Sequence, residues 1–571
     1  MTPCLRRLAP RALFLLALLA LAPRTSTAQD LSAPAYKISY TLSIRQPASH
    51  LFEVRVDVAG LAGADHVDFQ MPRWSPGRYA VFDFAKNVQE VKATTSCPTD
   101  VKCERMSLPV ERLDTQTWRI TSPVQPSVVM SVPGVTLTYK VFADDLSGTF
   151  SQLDARHANF NGGSLFAYVV GHKQDPASLK IEAPGGWKII NGYSTRPDQS
   201  EFQFPNYDIL IDTPTEVAPD FTVQTFEVGG KTYRVVVHSL GPEAGRRDEL
   251  VRSVERIVRA EVATMEPPEF EHYTFLFHFD PSARRGDGME HLNSTEIIET
   301  GALADPKVLD SAIGTAAHEF FHNWNVKRLR PVGLGPWDFT RPVVTRGLWI
   351  AEGFTNYYGK LSLRRAGIWG DEDLFKSYAA TIGGIENSPG SRLMSAVESS
   401  LLAPFLDRAS HDQRTNLADT SVSYYPKGET LAVTLDLLIR GRSRGRASLD
   451  DVMRRAYEEF YLKGAPDSYY LKGRAYTVED FQRVASEVAG FDLSDFFRRH
   501  VYGVEPPPYD EALGYVGLRL VRAPDAKPTS AGPTVGAGEA TRQARTAYRI
   551  ETDEKASPEA RALREAWLKG T

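Results

Sequence analysis

The stretch "AAHEFFHNWNVKRLRP", which runs from residue 316 to 331, carries the pattern that decides the fold around it. It places His318 and His322 four residues apart, with Glu319 beside them. Four residues of an α-helix advance the direction by about 400°, so both imidazoles lie on one face and can reach one ion. The pattern predicts either a zinc-binding catalytic helix or an amphipathic core helix with hydrogen-bonded histidines.

A third zinc ligand is available further along the chain. A catalytic zinc needs three protein ligands and one open position. "GLWIAEGFTNYYGKL" contains Glu352 among apolar and aromatic residues, and the segment up to about Arg365 is predicted to form a buried helix. A carboxylate in such a helix is costly unless it is paired or binds a metal. Asn356 is predicted either to hydrogen-bond a ligand histidine or to be a surface amide.

The segment "GDGMEHLNSTEII" lies upstream of the two histidines. Its glycines, followed by an alternation of apolar and polar residues, predict a loop that enters an edge strand. Glu290 and His291 stand at the start of this strand. The alternative is an exposed, charged edge with no role in binding.

The segment "SYYPKGETLAVTLDLLI" lies downstream and places Tyr424 and Tyr425 just before a predicted helix. A tyrosine hydroxyl at this position can donate a hydrogen bond to a developing oxyanion. The alternative is that both tyrosines only pack against their neighbours.

Composition places limits on the whole chain. Its 571 residues are 42% hydrophobic and carry a net charge of −5, so the chain can bury a sizeable core. Acidic and basic residues are mixed along it, and no basic stripe indicates binding to nucleic acid.

The first 28 residues are predicted to be a secretory signal peptide. Arginines precede the apolar run "LFLLALLALA", which is too short to span a bilayer comfortably, and "STA" ends at Ala28 like a cleavage site. We therefore expect an exported protein, periplasmic or secreted, with no stable membrane span after cleavage. The alternative is an uncleaved N-terminal anchor. In an exported protein, Cys97 and Cys103 are predicted to form a local disulfide.

Hydrophobic periodicity divides the remaining chain. In "YKISYTLSIRQ" and "LFEVRVDV" apolar and polar residues alternate, which predicts an antiparallel β domain up to about residue 235. "DELVRSVERIVRAEVATM" has helical spacing, and a strand is predicted from His272 to Phe279. Two later helices are predicted from capping boxes, Ser448 with Asp451 and Thr477 with Asp480. Residues 523–538 are predicted to be flexible, and a short helix is predicted at the end of the chain.

These motifs together resemble the glycyl aminopeptidase family, metallopeptidase family sixty-one, a gluzincin family related to the aminopeptidase-N superfamily. "GMEH", "HEFFHNWNVKRLRP", "WIAEGFTNYYG" and "YYPKG" all occur in the expected order. "MPRWSPGRYAVFDFAKNV" and "RHANFNGGSLF" in the N-terminal part also resemble the family. The resemblance covers nearly the whole chain from the predicted cleavage site to about Asp510.

The resemblance implies an α+β multidomain fold. Residues 1–28 are the signal peptide, 29–238 a β-rich N-terminal domain and 239–508 a thermolysin-like, mostly helical zinc metallopeptidase domain. The family implies a PDZ domain at the C-terminus, and "EALGYVGLRLV" resembles its first strand. Residues 509–571 are too few for a complete PDZ domain, so they are interpreted as a degenerate PDZ-like remnant and tail.

The resemblance also implies roles for individual residues. His318, His322 and Glu352 are the expected Zn²⁺ ligands, and Glu319 is the expected general base. Tyr425 aligns with the tyrosine that stabilises the oxyanion in the related superfamily, with Tyr424 as the alternative. A further expected role belongs to Glu290, which matches the acid that binds the free α-amine of the substrate.

The resulting hypothesis is an exported zinc aminopeptidase that releases small N-terminal residues, glycine or alanine, from peptides. Two alternatives remain at this point. One is a zinc endopeptidase on the same scaffold, in which Glu290 serves another purpose. The other is a cell-envelope binding protein that keeps the fold and catalyses no reaction.

Overall fold

A computed structural model describes residues 35–61, 64–96, 105–121, 134–196, 199–407, 419–469, 471–524 and 545–570. The predicted signal peptide, the predicted disulfide and most of the predicted flexible stretch lie outside these residues. The described residues from Tyr36 onward form one compact unit. Within these ranges, no helix combines the length and the apolar character needed to cross a membrane.

Strands dominate the first part of the described chain, as the alternating patterns predict. They are β1 Lys37–Ser43, β2 Leu51–Ala59, β3 His66–Gln70, β4 Val88–Thr95, β5 Ser107–Leu108, β6 Val110–Arg112, β7 Thr117–Thr121, β8 Gly134–Phe142, β9 Gln152–Leu153, β10 Ala158–Phe160, β11 Tyr168–Val169, β12 Ala177–Glu182, β13 Lys188–Asn191, β14 Glu201–Phe204 and β15 Thr215–Ala218. Short 3₁₀ turns occur at Pro47–Ser49 and Phe84–Asn87.

The largest sheet has the order β14-β12-β1-β2-β8-β4-β5. Every second residue of β2 is buried, as its sequence pattern predicts. The predicted antiparallel pairing holds for most neighbouring strands, but β1 pairs with β12 in parallel, with Ile38 opposite Ala177. The alternation of apolar residues reports which face of a strand is buried, and it carries no information on the direction of the neighbouring strand. Two four-stranded sheets, β13-β15-β10-β9 and β11-β3-β7-β6, complete this part.

A five-stranded sheet follows, with the order β16-β17-β18-β20-β19. Its strands are β16 Thr222–Val228, β17 Lys231–Ser239, β18 His272–Phe279, β19 Asp287–Glu290 and β20 Ser294–Glu299. The predicted strand at β18 is confirmed, and it is buried along nearly its whole length, as a central parallel strand must be. An edge strand is present in this segment, but its predicted position is wrong: the edge strand β19 ends at Glu290, and the alternating residues that follow form β20, a buried strand between β18 and β19.

Helices dominate the later part. They are α1 Gly162–Leu165, α2 Tyr207–Ile211, α3 Arg247–Met265, α4 Pro306–Phe321, α5 Leu348–Ala351, α6 Gly353–Arg365, α7 Asp371–Glu386, α8 Ala396–Leu401, α9 Ala403–Leu406, α10 Tyr424–Ser443, α11 Leu449–Ala456, α12 Val478–Ala489, α13 Ser494–Phe496, α14 Tyr509–Tyr515 and α15 Pro558–Lys569. A 3₁₀ turn occurs at Pro389–Arg392, and π-helical turns at Tyr457–Leu462 and Phe497–Val501. Both predicted capping boxes are present, at the starts of α11 and α12. The β-rich N-terminal region and helical C-terminal part confirm the predicted mixed class.

The C-terminal residues pack on the helical part. Strands β21 Leu518–Pro524 and β22 Thr546–Thr552 pair in an antiparallel two-stranded sheet. The final helix, α15, buries Trp567, whose indole Nε1 donates a hydrogen bond of 2.8 Å to the hydroxyl of Tyr357 on α6. The predicted short C-terminal helix is therefore confirmed, while the PDZ-like character of this segment and the predicted domain boundaries stay predictions.

Candidate active site

The two histidines lie at the end of α4. The helix begins at Pro306, where the side chain of Asp305 accepts a hydrogen bond from the backbone N–H of Lys307. His318 lies in the last turn, and His322 follows as the C-cap with helical angles, φ −59° and ψ −17°. Both side chains therefore share one face, as the spacing predicts. Their Nε2 atoms lie 3.0 Å apart.

The protonation of His322 follows from its outer contact. Its Nδ1 lies 2.8 Å from the carbonyl oxygen of Asn325. A carbonyl only accepts hydrogen bonds, so Nδ1 carries a proton and Nε2 is the ring nitrogen that a metal ion could bind. Histidines that bind metals are oriented by such a bond on the other ring nitrogen. The Asn325 side chain donates to the carbonyl oxygens of Ile350 and Ala351, 2.9 and 3.1 Å away, which fixes this turn against α5.

Glu352 stands between α5 and α6, so the prediction of one continuous helix is wrong: the helix is broken at the candidate ligand itself. The side chain is 2% exposed. Its Oε2 lies 3.5 Å from His318 Nε2 and 3.4 Å from His322 Nε2. Burial raises the pKa of Glu352, but the two facing histidines outweigh this and hold it well below its usual range.

This donor set fits a zinc ion. Within the described residues, Glu352 Oε2 is buried without a hydrogen-bond partner, although two imidazole nitrogens face it. Two histidine nitrogens and one carboxylate oxygen are the ligand types of catalytic zinc. Their separations of 3.0–3.5 Å match the edges of a tetrahedron with bonds of about 2.0–2.1 Å.

Close packing between α6 and α10 places Tyr424 and Tyr425 beside the candidate zinc ligands. A Cβ atom on Gly353 of α6 would collide with the backbone of Gly428 on α10, so glycine at both positions permits the approach. The helix α10 is capped by Ser423, whose side chain accepts from the Tyr425 N–H. As a result, the ring of Tyr425 lies against His318, with centroids 6.3 Å apart.

The two tyrosines differ in their surroundings. Tyr424 is buried and packs edge-on against Tyr79, whereas Tyr425 is half-buried and lies beside His318. Burial raises the pKa of Tyr425 well above its usual value, so its hydroxyl keeps its proton and remains a donor.

Glu319 faces an open cleft. One carboxylate oxygen lies within 4.8 Å of ring nitrogens of both His318 and His322. Burial raises the pKa of Glu319 well above its usual value. A Cβ atom on Gly288 would collide with its carboxylate, so glycine at this position lets the backbone of β19 lie close to Glu319. The cleft has a volume of about 520 Å³ and is lined by Arg78, Gly288, Gly314, Thr315, His318, Glu319, Asn356, Leu406, Asp407, Ser423, Tyr424 and Tyr425.

Glu290 is the last residue of the edge strand β19 and is 6% exposed. It lines a narrow cavity of about 20 Å³, which shares Arg78 with the cleft. In the part of the chain that the structure describes, no Lys, Arg or His side chain forms an ion pair with it. His291 points elsewhere and contacts Asp212, with 3.1 Å between Nδ1 and Oδ1.

The loop between β3 and β4, for which no role was predicted, also reaches the site. Gly77 packs on Glu290, and Arg78 donates a hydrogen bond of 2.5 Å to Asp287 of β19. Tyr79 donates through its hydroxyl to Glu352 Oε1, at 2.5 Å. The only sequence signal was the family-like stretch "MPRWSPGRYAVFDFAKNV", since the loop lies far from the other motifs in the sequence.

The expectation for Asn356 was open, and its side chain lines the cleft. The hydrogen bond that orients His322 is the one that its Nδ1 donates to the carbonyl oxygen of Asn325. Thr355, the neighbour of Asn356, lies 3.4 Å from His322 Nδ1 and is the other polar group beside this ring.

Two family models match the chain. The Peptidase M61 N-terminal domain matches residues 39–219, and the M61 glycyl aminopeptidase domain matches residues 311–433. Together they match more than half of the sequence. The chain belongs to the M61 glycyl aminopeptidase family. The predicted family is confirmed, and this M61 protein is a zinc-dependent metallopeptidase of the aminopeptidase class.

One solved structure agrees with this assignment. The crystal structure of an aminopeptidase N family protein from Idiomarina loihiensis is 26% identical, with a TM-score of 0.75, and the match covers 85% of this chain and 79% of that chain. An M1 zinc metallopeptidase from Deinococcus radiodurans is 13% identical, with a TM-score of 0.48, and the match covers 83% of this chain and 96% of that chain. The second structure is too distant to inform on function. No curated protein is similar enough to this M61 protein to match it.

Proposed function

We propose that this M61 protein is an exported aminopeptidase that releases glycine or alanine from the N-termini of peptides. His318, His322 and Glu352 would hold Zn²⁺. When bound, zinc supplies the Lewis acidity that polarises the scissile carbonyl and activates a water molecule.

The remaining chemistry belongs to two side chains. Glu319 takes a proton from the attacking water and passes it to the leaving amine, because its carboxylate faces the cleft beside the histidines. Tyr425 donates a hydrogen bond to the oxyanion, since its protonated hydroxyl belongs to a ring that lies against His318.

One observation carries the exopeptidase proposal. Glu290 is a buried carboxylate that has no cationic partner among the described residues. A buried charge is costly unless it is paired, and the ammonium of a peptide N-terminus would complete the pair. Glu290 therefore selects chains with a free amine over internal segments.

The preference for small residues is supported by the space around Glu290. Gly77, with φ +83°, lies so close that a Cβ atom would stand 2.9 Å from Glu290 Oε2. The adjacent cavity of about 20 Å³ holds little more than one water molecule. A glycine or alanine side chain needs no larger pocket here.

Two further parts of the proposal concern the ends of the chain. Export rests on the signal-like residues 1–28. The C-terminal segment is proposed to be a PDZ-like remnant with a structural role, which is supported by the burial of Trp567 against α6.

The test compares kcat/KM for a peptide with a free N-terminus and for its N-acetylated form. We expect the wild type to prefer the free peptide. In Glu290→Gln, the ratio of kcat/KM for the free peptide to kcat/KM for the acetylated peptide should fall about 10- to 100-fold, because a charge-assisted pair is lost. Glu299→Gln, a buried acid on the neighbouring strand β20, is the matched control and should keep the preference.

Other results would overturn the proposal. Rapid internal cleavage of the acetylated peptide by the wild type would identify an endopeptidase. Stoichiometric zinc without turnover of any peptide would identify a binding protein.

A further inference from the structure

A second group of metal-binding side-chain types lies apart from the cleft, where the sheet β13-β15-β10-β9 meets the five-stranded sheet. His157 directly precedes β10, Glu216 lies on β15, His238 on β17 and His278 on β18. All four are buried, with exposed fractions of 0% for the first two and 2% for the others. We call these four residues the inter-sheet cluster.

The inter-sheet cluster has the dimensions of a ligand shell. His157 Nδ1 and His238 Nδ1 lie 3.1 and 3.0 Å from Glu216 Oε1, and His278 Nε2 lies 3.7 Å from Glu216 Oε2. One ligand atom from each residue lies within 4.8 Å of all the others. The corresponding separations at the candidate catalytic site are 3.0–3.5 Å, so the two sites are built to a similar scale.

Two of the histidines turn the same ring nitrogen toward Glu216. The Nδ1 atoms of His157 and His238 both face Glu216 Oε1. The outer nitrogen of His157, Nε2, lies 2.9 Å from Gln152 Oε1, which holds this ring in place. Two imidazole nitrogens that converge on one carboxylate oxygen can share a cation with it.

The third histidine, His278, turns Nε2 toward the same carboxylate, 3.7 Å from Glu216 Oε2. Asn159 Nδ2 lies 3.1 Å from His278 Nε2, and an amide nitrogen only donates, so this Nε2 presents a lone pair. His278 Nδ1 is buried and has no hydrogen-bond partner among the described residues.

Glu216 is the carboxylate that all three histidines of the inter-sheet cluster face. One buried carboxylate that faces three imidazoles is a donor set suited to a divalent transition metal.

We propose that His157, Glu216, His238 and His278 bind a second zinc ion with a structural role. Structural zinc sites are closed by four protein ligands, whereas catalytic sites keep a position open to substrate. The inter-sheet cluster supplies four ligands and is buried, while the candidate catalytic site supplies three and borders the cleft. Because the ligands come from three strands of two sheets and from the residue before β10, the ion would join these sheets and contribute directly to the stability of the fold.

The experiment counts zinc per folded chain by elemental analysis after removal of loosely bound metal. We expect about two ions in the wild type and about one in the variant His318→Ala/His322→Ala, which lacks the candidate catalytic ligands but keeps the inter-sheet cluster. One ion in the wild type and none in this variant would overturn the proposal and leave the proposed catalytic zinc untouched.

A second arm covers the case in which that variant does not fold. His278→Gln should reduce the count from two to one and lower the Tm, while peptidase activity measured at a temperature where the variant is folded is retained. His272→Gln, on the same strand β18 and bonded to the carbonyl of Gly192, is the matched control and should keep both ions. An unchanged count in His278→Gln would show that the inter-sheet cluster is only a hydrogen-bonded network.

Discussion

The hydroxyl of Tyr79 donates a hydrogen bond of 2.5 Å to Oε1 of Glu352, across 273 residues of sequence. The other carboxylate oxygen of Glu352 faces His318 and His322. The hydrogen bond from Tyr79 therefore occupies Oε1 of Glu352 and orients Oε2 toward the histidines. A loop between two strands of the N-terminal sheets thus completes the candidate metal site.

We expect Tyr79→Phe to weaken metal binding about 10- to 100-fold, which is the usual effect of removing a group that orients a ligand. Titration against a competing chelator measures this. Tyr40→Phe removes another buried tyrosine hydrogen bond, to Ala167, and serves as the control with unchanged affinity. Equal affinity in both variants would show that Tyr79 does not position Glu352.

Glu319→Gln should keep stoichiometric metal and lose about 10²- to 10⁴-fold in kcat, because an amide cannot take the proton of the attacking water. Metal content and kcat are measured on the same preparation. A kcat within tenfold of the wild type would mean that another group is the base.

Tyr425→Phe should lower kcat about 10²- to 10³-fold and change KM little, because its hydroxyl acts mainly on the oxyanion of the transition state. Tyr424→Phe is the matched control, since it removes the adjacent hydroxyl. A large loss of kcat in Tyr424→Phe with none in Tyr425→Phe would show that Tyr424 is the oxyanion donor.

Stability should respond to Glu261, an acid fully buried on α3. Burial raises its pKa well above 4.5, and Ser362 offsets this only in part. A raised pKa in the folded state means that stability is present below pH 4.5 and is lost as the pH rises toward the folded value.

Glu261→Gln does not ionise, so its advantage in Tm over the wild type should grow from pH 5 to pH 8. Each 1 kcal/mol of difference in the free energy of unfolding corresponds to a Tm shift of about 2–4 °C or less in a chain of this size. Thermal unfolding at both pH values measures it, with Glu249→Gln on the exposed face of the same helix as control. A pH-independent difference would contradict the raised pKa.

Several parts of the fold and site were predictable from local sequence. The spacing of His318 and His322 predicted that they share a helix face, and the structure brings their nitrogens together. The alternation in β2, the apolar run of β18 and both capping boxes were predicted as well. These patterns repeat with the period of a helix or a strand, so residues close in sequence encode them.

The sequence by itself thus determined the elements, the family and the residue types of the candidate site. Tertiary structure decided which distant residues meet: Tyr79 with Glu352, β1 with β12 in parallel, and the four residues of the inter-sheet cluster. It also decided that the chain breaks its helix at Glu352. Such contacts depend on how whole helices and strands pack, and on small residues such as Gly353 and Gly428 that let them approach closely. The spacing of residues within one segment therefore cannot predict them.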